Sequence, residues 1–197
     1  GTLSDVVGQL WYNSTDGKFK IAAQGAGSFS TGEALNTGRI TSATSIKGPK
    51  TATIVFGGYI PTVPNGMDVN EEYNGTAWSE ENDLNNARWS LGGFGISTSA
   101  VAGGGNNPDS SSYVNYVETW NGTSWTETNS MLSVRRAYAS AGASSTSGIF
   151  YGGTNPPTGY LGATESWNGT SFTEDNDLNT PRRAMKGAGT QTSAVVA

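Results

Sequence analysis

The chain repeats itself with a fixed step. Tyr73-Asn74-Gly75-Thr76-Ala77-Trp78 returns as Trp120-Asn121-Gly122-Thr123-Ser124-Trp125 and again as Trp167-Asn168-Gly169-Thr170-Ser171-Phe172, so Asn74, Asn121 and Asn168 stand 47 residues apart. Glu71, Glu118 and Glu165 keep that step, as do Asn82, Asn129 and Asn176, Leu84, Met131 and Leu178, and Arg88, Arg135 and Arg182. A weaker earlier copy places Phe29, Leu35 and Arg39 each 49 before Trp78, Leu84 and Arg88. Glycine pairs follow the arginines at Gly57-Gly58, Gly103-Gly104 and Gly152-Gly153, spaced 46 and 49, which puts the length changes in the loops around them. A period of this size restricts the fold to an array of one supersecondary unit, each copy burying its apolar face against the next.

Four short β-prone segments fall inside each unit: after the Arg, before the Gly pair, before Asn-Gly and after it. Four strands in about 40 to 50 residues match one propeller blade. Asn-Gly between aromatic and β-branched flanks predicts a tight hairpin with a type I′ turn, which needs positive φ at both central residues. The aromatic pairs ending in Trp78, Trp125 and Phe172 then stand on paired strands and pack between neighbouring sheets.

Composition narrows the chemistry. The 197 residues include 28 glycines and only 14% charged residues, which disfavours helix, while six Trp, eight Tyr and six Phe supply a core. With no Cys and no His, disulfides, thiolate nucleophiles, Cys/His zinc sites and His-dependent catalysis are excluded. Eleven Lys+Arg against 16 Asp+Glu give net charge -5, so no basic stripe exists to neutralise phosphates, and nucleic acid is not expected as a partner. No apolar run reaches the roughly 18 residues of a membrane span, so no membrane insertion is expected. The chain opens on Gly-Thr-Leu-Ser-Asp without Met or a signal-peptide core, as a processed or partial chain would.

Each candidate for chemistry has a structural counterpart. Glu71 with Arg88, and the copies Glu118, Arg135, Glu165 and Arg182, form one set per unit; an active site would occur once, so these are expected to be buried bridges joining blades. Glu174-Asp175-Asn176-Asp177 alternates oxygen ligands as calcium loops do. Its equivalents, Glu80 to Asp83 and Glu127 to Ser130, read as connectors in which Asn or Asp satisfies backbone groups. Asn13, Asn74, Asn121 and Asn168 match the N-glycosylation pattern, the last three being explained by turns. Paired carboxylates could hydrolyse glycosides, yet Asp68, Glu72 and Asp109 are scattered. No catalytic, cofactor or metal residue is therefore expected. Loops after the Gly pairs differ in length and carry Tyr59, Tyr113 and Tyr160, the aromatics expected to meet a carbohydrate or protein.

Arg, a Gly pair, Glu-x-aromatic, a Trp, then Leu and the next Arg resembles the kelch repeat of β-propellers, over about residues 24 to 197. Trp-Asn-Gly-Thr-Ser-Trp-Thr-Glu, the later Asp177-Leu178-Asn179-Thr180-Pro181-Arg182-Arg183, and Gly8-Gln9-Leu10-Trp11-Tyr12-Asn13 near the start look like kelch-like tail or fibre proteins of marine and cyanobacterial phages. The resemblance implies an all-β propeller of four-stranded antiparallel blades and a non-catalytic virion protein outside the cell. Its implied partners are other virion subunits, further copies of itself, and a host-surface glycan or protein. A bacterial surface or secreted kelch module and a carbohydrate-active propeller enzyme are the competing readings. The expected organisation is an attachment arm at 1–17 and a propeller at 18–197. Within it lie a half-blade at 18–38, blades at 39–84, 85–131 and 132–178, and a half-blade at 179–197. The two halves would close a four-bladed ring; an arc of a larger propeller is the alternative.

Overall fold

The computed structural model describes residues 10–13, 18–21, 33–45, 47–49, 51–62, 66–108, 112–155 and 159–196. Strands β1 (Leu10–Asn13) and β2 (Lys18–Ile21) form an antiparallel hairpin, Leu10 opposite Ile21 and Asn13 opposite Lys18. They belong to a first unit, Gly1–Gly32, and everything that follows to a second, Glu33–Ala197. The line between the two units falls within the expected half-blade at 18–38, whose strand Lys18–Ile21 pairs with Leu10–Asn13. The companion segment, 28–31, lies outside the described residues.

The second unit is all-β, built of antiparallel four-stranded sheets, with no helix among the described residues. The first sheet is β3 (Ala43–Thr44), β4 (Thr53–Tyr59), β5 (Gly66–Tyr73) and β6 (Trp78–Glu81), paired in chain order. The second is β7 (Gly92–Ile96), β8 (Ser99–Asn107), β9 (Ser112–Trp120) and β10 (Trp125–Thr128). In the third, β11 (Ala139–Ser144) and β12 (Ser147–Tyr151) are followed by a small hairpin, β13 (Thr154–Asn155) with β14 (Gly159–Tyr160), before β15 (Thr164–Trp167) and β16 (Phe172–Asp175) complete the sheet. A last hairpin pairs β17 (Gly187–Thr190) with β18 (Ser193–Val196). The first strands of successive sheets are neighbours: β3 lies by β7, β7 by β11, and β11 by β17.

Aromatics from one sheet fill the core of the one before. Trp120 and Trp125 pack with Ile54, Phe56 and Leu84 of the first sheet, and Trp167 and Phe172 with Phe94, Val117 and Met131 of the second. Rings five positions apart face each other across the hairpin, Trp120 at 5.3 Å from Trp125 and Trp167 at 4.7 Å from Phe172. Each such buried side chain contributes about 1.5–3 kcal/mol, more than a turn does, so inter-sheet packing fixes the placement of the hairpins. At the third sheet the same position holds Tyr151 and Met185 with partly buried Ile149, Leu178 and Val196, and an apolar groove of about 160 Å³ remains there.

The hairpins at Asn-Gly occur where the sequence places them, with a different turn. Tyr73 pairs with Trp78, Trp120 with Trp125 and Trp167 with Phe172, leaving four-residue loops. Only the glycines have positive φ, at 97°, 94° and 93° for Gly75, Gly122 and Gly169, so the expected type I′ turn is not formed. The cause is the Asn side chain. Asn121 Oδ1 accepts from the N–H groups of Thr123 and Ser124, each at 2.9 Å, and Asn74 and Asn168 do the same in their loops. Asn121→Ala frees two backbone donors and is expected to cost about 1 kcal/mol, read as a lower denaturant midpoint with an unchanged slope.

Glycines also join the sheets. The pairs with positive φ are Gly57-Gly58, Gly104-Gly105 and Gly152-Gly153, so in the second sheet the expected Gly103-Gly104 moves on by one residue. Gly103 is a regular strand residue, opposite Gly92 and Val117. A Cβ on the first glycine of each pair would meet the carbonyl oxygen of the following arginine, at 2.8 Å for Gly57 and Arg88, 2.7 Å for Gly104 and Arg135, and 2.9 Å for Gly152 and Arg182. The second glycine donates its N–H to that same carbonyl: Gly58 to Arg88 at 2.8 Å, Gly105 to Arg135 at 2.9 Å and Gly153 to Arg182 at 2.8 Å. Close approach and left-handed backbone together admit no side chain here.

A shared cavity and a loop face as the candidate functional site

The residues before each first strand build a chain of backbone bonds. Thr41, Ser90, Ala137 and Ala184 have φ of 56°, 53°, 52° and 56°, a left-handed conformation that non-glycine residues rarely hold. Ser90 N–H donates to the Thr41 carbonyl at 2.9 Å, Ala137 to Ser90 at 3.0 Å and Ala184 to Ala137 at 2.7 Å. One inter-unit hydrogen bond thus offsets strain of about 1–2 kcal/mol at each left-handed residue. All four line one cavity of about 330 Å³, together with Leu91, Tyr138 and Lys186.

Tyr138 stands in the wall of that cavity. Its hydroxyl donates to the Gly103 carbonyl, its ring meets Phe150 edge-on at 5.3 Å, and burial pushes its phenol pKa up. Because the folded state favours the neutral phenol, this group's contribution is complete below its unfolded value of 10.0 and is lost as pH rises past it. The denaturant midpoint is therefore expected to fall above pH 10, and Tyr138→Phe to shrink that fall while lowering stability near neutrality by about 1 kcal/mol.

The loop tyrosines share one arrangement. Each lies against the residue just ahead of the next unit's left-handed position: Tyr59 against Trp89 with ring centroids 5.6 Å apart, Tyr113 under the Arg136 guanidinium at 4.5 Å, and Tyr160 under that of Arg183 at 5.3 Å. Arg136 also covers Trp89 at 5.4 Å, so Tyr59, Trp89, Arg136 and Tyr113 form one continuous stack, while Tyr160 and Arg183 form a separate pair. Tyr160 is 58% exposed; Tyr59 and Tyr113 are half-buried. Sequence reasoning missed Trp89, Arg136 and Arg183 because the residue type changes, although their 47-residue spacing and the doublets Arg135-Arg136 and Arg182-Arg183 carry the signal.

The repeated ions lie elsewhere and are buried. Arg39 pairs with Glu71 at 3.0 Å, Arg88 with Glu118 at 2.7 Å, and Arg135 with Glu165. Glu71 is thus bonded to Arg39 and not to Arg88, because each arginine leads into the sheet whose third strand carries its glutamate. Arg88 also donates to the Tyr116 carbonyl at 2.8 Å, and Arg135 to that of Ala163 at 2.7 Å. The carboxylates accept from the segment just ahead of each paired arginine: Glu71 from Asn36 N–H, Glu118 from Asn85 and Glu165 from Leu132, all at 2.7 Å. Burial lowers the Arg88 pKa against the pull of Glu118. Arg182 is exposed, with no carboxylate partner among the described residues.

The acidic connectors join sheets. Asn82 Nδ2 donates to the Thr123 carbonyl and Asn129 Nδ2 to that of Thr170, both at 2.8 Å. Asn176, next in the series, is exposed. Among the described residues no three acidic side chains converge as metal ligands.

No family model matches this chain, and no curated protein matches it. Among solved structures it is similar to that of YjhT, with a TM-score of 0.65 at 10% sequence identity over 81% of this chain. The chain spans 58% of the length of that protein. At this identity the likeness is one of fold alone, consistent with the all-β architecture of antiparallel sheets described above.

Proposed function

We propose that this chain is a kelch-like β-propeller that acts, without catalysis, as a structural and receptor-binding part of a phage tail or fibre. The propeller reading is supported by consecutive four-stranded meanders whose first strands adjoin. Thr41 from the first crossing and Ala184 and Lys186 from the last line the same cavity, which favours a four-bladed ring over an arc of a larger one. The virion placement is supported by the resemblance of the repeats and of the Leu10–Ile21 region to phage tail modules.

One observation carries the binding role. The internal Arg–Glu pairs are buried and recur in each four-stranded sheet, whereas the loop face holds tyrosines and arginines that engage one another only by stacking. Rigid sheets presenting variable aromatic loops suit recognition, and multiple copies per particle would add avidity to weak single contacts.

Antibody to the purified chain is expected to label phage tails, and the chain itself to slow phage adsorption when added to host cells beforehand. Labelling of a bacterial envelope with none on virions would favour the cellular interaction module instead. Tail labelling with unaltered adsorption would leave only the structural role.

A further inference from the structure

We propose that the loop face beside the shared cavity binds an anionic saccharide, with Arg136 and Arg183 holding its acid groups and Tyr113, Tyr160 and Trp89 its ring faces. This deepens the receptor-binding reading above and rests on it.

The inference starts from two adjacent arginines with opposite fates. Arg135 is fully buried and donates to Glu165 and to the carbonyls of Gly152 and Ala163. Arg136 donates no side-chain hydrogen bond and enters no ion pair among the described residues, and its Nε is buried without a partner. Its guanidinium lies over Tyr113 at 4.5 Å and over Trp89 at 5.4 Å. Rings stacked on the guanidinium leave the in-plane N–H groups of its two terminal nitrogens, which are not buried as Nε is, free to donate. That is the geometry that takes a carboxylate or sulfate through two parallel hydrogen bonds. The stacking also restrains the side chain in advance, so less rotamer freedom is lost on binding.

Arg183 repeats the arrangement one unit on, over Tyr160 at 5.3 Å, and likewise has no hydrogen-bonded partner among the described residues. Lys186 adds a third cation in the cavity wall. These charges gather on one face of a chain whose net charge is -5. Acidic side chains recur on the fourth strands, at Glu80 and Glu81, Glu127, and Glu174 and Asp175. An approaching anion is therefore repelled by the sheet rims and attracted at the loop face.

A saccharide fits better than a nucleic acid. Three cations are fewer than the roughly 6–10 phosphate contacts of a typical nucleic-acid site, whereas acid groups spaced along a sugar chain need few. The apolar C–H face of a pyranose matches an exposed tyrosine ring such as Tyr160.

The test measures binding of the full 197-residue chain to alginate oligosaccharides, to sulfated dextran, to neutral dextran and to oligo-dT, at low and physiological salt. Binding to one or both acidic glycans is expected, weakening with salt and falling roughly tenfold for each of Arg136→Gln and Arg183→Gln. Both variants are expected to stay folded, with the melting midpoint lowered only by the lost stacking contacts, since neither side chain is hydrogen-bonded to its own fold. Preference for alginate assigns carboxylate, and preference for sulfated dextran assigns sulfate. Acidic-glycan binding unchanged in both variants would overturn the inference, as would tighter binding of oligo-dT. Binding of neutral dextran equal to that of the acidic glycans would overturn it while leaving the receptor-binding reading intact. No binding to any glycan would also overturn it, and the adsorption assay then decides the receptor-binding reading separately.

Discussion

Glu118→Ala is expected to remove about 3–5 kcal/mol of stability, a large share of the 5–15 kcal/mol typical of a domain. Arg88 and Glu118 are both fully buried. The glutamate accepts from Arg88 at 2.7 Å and, through its other oxygen, from the Asn85 backbone at 2.7 Å and side chain at 2.8 Å. Truncation strands the guanidinium in the core and leaves the connector between the first two sheets without its acceptor. The double variant Arg88→Met with Glu118→Leu removes both charges at similar volume and is expected to recover a substantial part of the loss. Equilibrium denaturation of the wild type, Arg88→Met, Glu118→Leu and the double variant measures the coupling. A single-variant loss below about 1 kcal/mol would mean a solvated pair and would contradict the buried placement.

Gly105→Ala is expected to cost about 2–4 kcal/mol, from left-handed strain and overpacking together. Gly105 has φ of 104°, and a Cβ there would sit 2.9 Å from the Trp89 carbonyl and 3.0 Å from Leu91 Cβ. Gly103→Ala, two residues earlier, falls in extended strand where the Cβ would press on the Phe150 ring edge at 3.0 Å. A ring that can shift makes this the milder change. The order of the two losses, read from denaturant midpoints, tests the register of the glycine pair; a reversed order would return the pair to Gly103-Gly104.

Much of the fold is written in the repeat because the interactions between sheets require residues of one kind. Trp125 and Phe172 must be large and flat, Glu118 and Glu165 must accept several donors, and the first glycine of each pair must lack a side chain against an arginine carbonyl. Such demands leave the same letters at the same offset. Where several residues satisfy the physics, the signal fades. Gly103, Gly104 and Gly105 form a run of three, and spacing alone does not say which two turn left-handed.

The same fading hides the candidate site. Thr41, Ser90, Ala137 and Ala184 share a backbone conformation and a bonding role with no common side chain. Trp89, Arg136 and Arg183 each stack on a loop tyrosine, but the indole at the first of these positions has no chemistry in common with the two guanidinium groups. The Asn-Gly loops were misread in type because the Asn side chain takes the donors that a two-residue turn would have paired. Lys18–Ile21 suits any antiparallel neighbour, so the sequence does not single out Leu10–Asn13 as its partner.

The sheets form one cooperative body, tied ahead of their first strands by repeated backbone bonds. Native-state amide hydrogen exchange tests it most directly, at Ser90, Ala137 and Ala184 in the bonded series and at Gly58, Gly105 and Gly153 in the glycine pairs. The predicted result is that these six amides exchange as slowly as the central strand amides, with the free energy of global unfolding. Rapid exchange at the six, beside protected amides within each sheet, would show sheets that open independently and would contradict the claim.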